Sequence, residues 1–86
     1  MNQETVFKYI KIERENQDSE YGERNATLEW NSNDLLAILA KQFGDVATLL
    51  KYAREQDTPE SFKRELATEL ISVAAVATMW LEKITL

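Results

Sequence analysis

Apolar residues recur along this chain at intervals of three and four, the spacing that places side chains on one face of an α-helix. Three stretches carry the pattern. In the first, from about Glu4 to Tyr21, Val6, Phe7 and Ile10 line one side, and Arg14, Gln17 and Tyr21 continue it. The rest of that stretch is densely charged. Gly22 follows, and a glycine there predicts a helix stop, because it tolerates the left-handed C-cap conformation. A connecting loop, "ERNATLEWNSN", comes next, with room for a short helical turn near Leu28–Trp30.

A second helix is predicted from near Asn33 to about Arg54. Asn31, Ser32 and Asn33 are three consecutive N-cap candidates, and Trp30 before them could staple onto Leu35 or Leu36. Its apolar stripe comprises Leu35, Ile38, Leu39, Val46, Leu49, Leu50 and Ala53. "EQDTPE" interrupts the pattern, with Thr58 as a cap and Pro59 at the first position of a third helix reaching about Lys83. Phe62, Leu66, Leu70, Val73, Ala77, Trp80 and Ile84 mark one face of that helix. Ile71, Ala74, Ala75, Thr78 and Met79 fill much of the remainder, so its C-terminal half is apolar nearly all round. A helix of that kind is buried on several sides. Three helices cannot surround one of their own number, which predicts a second subunit.

Composition narrows the chemistry. Eighty-six residues amount to one domain, residues 1–86, with a core that is marginal unless a partner adds to it. Two glycines and one proline argue against a turn-rich β fold. The class expected is all-α. Ten basic against fifteen acidic residues give a net charge of −5, which disfavours binding to a nucleic-acid backbone. Without cysteine or histidine, a metal here would have to be hard and oxygen-bound. The N-terminal segment carries charge from its fourth residue, and the longest uncharged run, Leu70–Leu81, has twelve residues. Neither a signal core nor a membrane span is expected, and the cytoplasm is the default location.

One position breaks the helical logic. Gly44 stands inside the second helix, where glycine costs roughly 1 kcal/mol relative to alanine. Close packing of two helices would explain it, with Ala47, Ser72, Ala74 and Ala75 as the other small residues. So would a pocket beside Asp45. The packing explanation is favoured, with a pocket next to it.

The segments "LAKQFGDVA" and "ELISVAAVATMWLEKI" resemble the MazG-like all-α nucleoside triphosphate pyrophosphohydrolases. "IERENQDSEYGERN", Ile12 to Asn25, is similar to a segment of the short members carried by phages or mobile elements. The resemblance spans about Ile12 to Ile84. It implies a Glu-Glu-x-x-Glu motif on one helix and Glu-x-x-Asp on the next, facing each other and holding Mg²⁺ against a triphosphate. Here the first motif falls on Lys41, Gln42 and Asp45, and the second, after a gap of twenty-three residues, on Glu69 and Ser72. Asp45 and Glu69 are therefore the expected metal ligands, with Glu65 and Ser72 as further candidates.

By the same resemblance Lys41, Gln42 and Gln17 are candidates for nucleotide and phosphate contacts, and Tyr21 and Trp30 are candidates because either ring could stack on a base. No catalytic residue is assigned. With both leading glutamates and the last aspartate replaced, hydrolysis to monophosphate and pyrophosphate is expected to be weak or lost. The expected partners are a nucleotide and further copies of the chain, as a homodimer or homotetramer, without membrane or nucleic acid. A non-catalytic helical module that binds a protein partner is the alternative. Lys41, Asp45 and Glu69 converging on one cavity would favour the first reading, and Lys41 in bulk solvent with the gap filled by side chains would favour the second.

Overall fold

A computed structural model of the chain describes residues 1–27, 31–55 and 60–84, excluding the side chains of residues 20–27 and 53–55. The fold is all-α, with three helices in the order α1 (Gln3–Thr27), α2 (Ser32–Glu55) and α3 (Glu60–Lys83). Among the described residues, no helix is long and apolar enough to cross a membrane.

Each described N-terminus is capped by asparagine. Asn2 accepts the Thr5 amide at 2.8 Å and opens α1. Of the three asparagine and serine candidates before α2, Asn31 holds the cap. Its side chain accepts the Asp34 amide at 3.0 Å, while the Asp34 carboxylate accepts the Asn31 amide at 3.1 Å. This reciprocal pair satisfies two helix-end donors at once. The proposed Trp30 staple, the turn at 28–30, the Thr58 cap and Pro59 lie outside the described residues.

Gly22 does not end α1. The helix continues to Thr27, and no glycine of the chain has positive φ. A glycine weakens a helix by about 1 kcal/mol but stops it only by turning left-handed.

α3 packs against both other helices, whereas α1 and α2 make no close backbone approach to one another among the described residues. Pairings of Ser32 with Trp80 and of Gln42 with Ser72 make α2 and α3 antiparallel. The core lies on this seam. Leu35 from α2 and Val76 and Met79 from α3 are buried together, with Ile38, Leu39 and Trp80 packed around them. Ala75 completes the buried apolar set among the described residues. In the C-terminal half of α3, Ala75, Val76 and Met79 are buried among the described residues while Leu70 and Leu81 are exposed, so burial on several sides is not reached within the chain. Trp80 is half-buried at the edge of the core, and its indole N–H donates to Ser32 Oγ at 3.1 Å. That anchors the start of α2 to the end of α3.

A second tie joins the end of α3 to α1. Arg14 donates through Nε and Nη2 to Glu82 at 2.9 and 2.6 Å, and through Nη1 to Asp18 one turn along its own helix. Burial alone would lower the Arg14 pKa, but its hydrogen bonds and charge contacts with Glu82 and Asp18 outweigh that and raise it.

Candidate functional site

The α2–α3 seam changes character along its length. Near Leu35 it is closed by hydrocarbon. Midway, Gln42 Nε2 donates to Ser72 Oγ at 2.8 Å. From α1, the Gln17 side chain also reaches this point and approaches the Ser72 carbonyl at 3.5 Å. Gln17 is only 4% exposed, so the three helices meet at a buried polar junction. The side-chain oxygens of Gln17 and Gln42 are buried there without a protein partner. Two carboxylates at positions 42 and 72 would repel one another in such a place unless a cation lay between them. The amide and hydroxyl found here bond directly instead.

Beyond this junction the two helices line an open groove of about 500 Å³. Asp45, Thr48, Leu49 and Tyr52 form the α2 wall, and Arg64, Glu65, Thr68 and Glu69 form the α3 wall. The helical repeat explains both sets, since residues three or four apart share a face. Both threonine hydroxyls turn back into their own helices. Thr48 Oγ1 donates to the Gly44 carbonyl at 3.0 Å and Thr68 Oγ1 to the Arg64 carbonyl at 2.9 Å.

Asp45, Glu65 and Glu69, all candidates on sequence grounds, thus line one groove. Ser72 and Gln42 lie at its inner end, bonded to each other. Lys41 is exposed and is not among the groove residues, so the expected convergence of Lys41 with Asp45 and Glu69 on one cavity is corrected: the two carboxylates share the groove and the lysine does not. Gln17 is in the polar junction. Tyr21 is on α1, with its side chain outside the described set, as is Trp30 altogether. Arg64, which sequence reasoning did not single out, is the one cation on the groove walls among the described residues. Its signal was available, because it precedes Thr68 by one helical turn, as Glu65 precedes Glu69.

The acids do not assemble into a protein-built metal cage. Among the described residues, no group of three or more histidine, cysteine, aspartate or glutamate side chains could hold a metal ion. Two or three dispersed carboxylates suit only a cation that brings most of its own ligands, as Mg²⁺ does with phosphate oxygens and water.

Gly44 is not a close-packing position within the chain. A β-carbon built there meets nothing within 4 Å. The favoured explanation from sequence is therefore corrected: no neighbouring helix presses on this glycine.

Fold and site together define a three-helix all-α protein with an acidic, arginine-bearing groove between two antiparallel helices. In comparisons with known proteins, the chain matches no family model, no curated protein and no solved structure.

Proposed function

We propose that the α2–α3 groove binds the phosphates of a nucleotide, with hydrolysis weak or lost. The observation that supports this reading is the placement of Asp45, Glu65, Glu69 and Arg64 around one open groove of about 500 Å³. Arg64 supplies a fixed cation with a planar donor fork for a phosphate group. The carboxylates would repel a bare triphosphate, so the ligand is a Mg²⁺–nucleotide in which Asp45 and Glu69 face the cation. Mg²⁺ bound in this way would neutralise phosphate charge. The family resemblance, on "LAKQFGDVA" and "AAVATMWLE", gives the nucleoside triphosphate class, and the replacements at Lys41, Gln42 and Ser72 argue against efficient turnover. On this reading the protein is a homo-oligomer.

A protein-binding module is the second reading, favoured by the large apolar side chains that stand exposed, Phe7, Leu36, Phe43 and Leu81 among them.

A thermal-shift series with nucleoside triphosphates, with and without Mg²⁺, tests the proposal. Ligand at a hundredfold excess over its Kd stabilises the folded state by about 2.7 kcal/mol. The Mg²⁺-dependent shift is expected in the native protein and absent in Arg64→Glu. Pyrophosphate release should stay near background. No shift with any nucleotide would reject the binding reading, and strong Asp45-dependent release would reject the loss of hydrolysis.

A further inference from the structure

At the inner end of the groove, two glutamines from different helices converge on one serine of the third. Gln42 of α2 donates through Nε2 to Ser72 Oγ at 2.8 Å, and Gln17 of α1 points Nε2 at the Ser72 carbonyl, 3.5 Å away. The second contact is long, since an N–H···O bond is ordinarily about 2.9–3.0 Å. Both Oε1 atoms are shut off from solvent and accept nothing from the described residues. Gln17 as a whole is only 4% exposed, so bulk water does not reach it. Buried side-chain oxygens in folded proteins are almost always partnered, by protein or by ordered water.

Rearranging the amides does not remove the need. Turning Gln17 over would set its oxygen against the Ser72 carbonyl, acceptor against acceptor. Turning Gln42 over would let the Ser72 hydroxyl donate to it, but would bury an N–H in place of the oxygen. Each glutamine still calls for one more partner.

The groups at the junction decide what that partner is. Two carbonyl oxygens must each receive a hydrogen bond or face a cation. Gln17, Gln42 and Ser72 are all uncharged, so a cation here would lack a counter-charge at the junction, and burying it would be costly. Asp45 and Glu69, one turn along each helix, line the open groove instead. A water molecule has two protons to give and needs no counter-charge.

We infer that the junction holds one buried water molecule, which donates to Gln17 Oε1 and to Gln42 Oε1. Ser72 Oγ accepts the Gln42 amide and so keeps its own proton to offer the water oxygen. That makes three hydrogen bonds, the usual number for a buried water. The backbones of α1 and α2 do not approach closely among the described residues, so the water ties together two helices that are otherwise joined through α3. It also fixes α2 against α3 one turn from Asp45 and Glu69. The inference goes beyond the nucleotide reading and does not depend on it.

Oxygen-17 relaxation of the solvent tests it, because it counts long-lived internal waters and is blind to exchanging hydroxyl protons. Native protein should hold one more such molecule than the double variant Gln17→Leu, Gln42→Met. Leucine and methionine are near glutamine in size and need no polar partner, so the variant should keep its helical circular dichroism. A crystal structure of the native protein decides the matter even if the variant fails to fold. It should show a water about 2.5–3.0 Å from both Oε1 atoms. An equal count in a folded variant, direct bonding between the two amides, or a density peak that changes when sodium is exchanged for potassium would overturn the inference. None of these readouts involves a nucleotide, so failure here is distinct from failure of the thermal-shift test.

Discussion

The two ends of the α2–α3 seam are built from the same pair of helices and behave as opposites. At the Leu35 end, hydrocarbon from both helices interlocks, and the Trp80–Ser32 hydrogen bond closes the edge. At the Tyr52 end the facing positions are Asp45, Thr48, Arg64, Glu65 and Glu69, and the helices stand around open space. Gln42 and Ser72 mark the boundary. Charged residues facing one another across a helix pair keep water in preference to packing, because drying them costs several kcal/mol per ion. One end therefore supplies the stability, and the other is the surface proposed above for ligand binding.

Leu35→Ala tests the closed end most severely. Leu35 is 1% exposed, and truncating a leucine so buried costs about 2–5 kcal/mol. In a chain with so small a core, urea denaturation should show most of the native stability gone. A loss below about 1 kcal/mol would mean that the seam is not the main source of stability.

At the boundary the expected effect is smaller. Ser72→Ala removes the acceptor of the Gln42 amide and should cost about 1–2 kcal/mol, since a buried donor is left unpaired. Adding Gln42→Met to Ser72→Ala should cost less than the two single changes summed. A double-mutant cycle with no coupling would show that the junction does not hold the helices together.

The smallest change has the opposite sign. With open space where its β-carbon would stand, Gly44→Ala should raise the melting temperature, with a gain of about 0.5–1 kcal/mol from helix propensity. A clear loss would show that something outside the described chain presses on Gly44.

Periodicity alone made the three helices legible, because a residue such as Leu35 or Val76 is apolar at the position where its helix needs it. The extent of α1 was not legible. Gly22 permits a stop, and only the backbone decides whether it is used. The acidic groove was half legible. Asp45, Glu65 and Glu69 follow from helical spacing and family resemblance, but spacing does not say where two helices diverge. Lys41 lies a turn before Asp45, level with the closed Gln42–Ser72 contact, and so falls outside the opening. Arg64 lies within it, one helical turn from Thr68 on the α3 wall.

The threonines of the groove change what its walls are made of. Each hydroxyl proton is committed to a carbonyl four residues back, at Gly44 for Thr48 and at Arg64 for Thr68. Each hydroxyl oxygen keeps only its capacity to accept, and the methyl group beside it supplies an apolar surface. With Leu49 and the Tyr52 ring on the same α2 wall, the groove combines greasy patches with charged ones. On the nucleotide reading proposed above, a guest would set a flat, poorly hydrated part against the first and Mg²⁺-neutralised phosphates against the second.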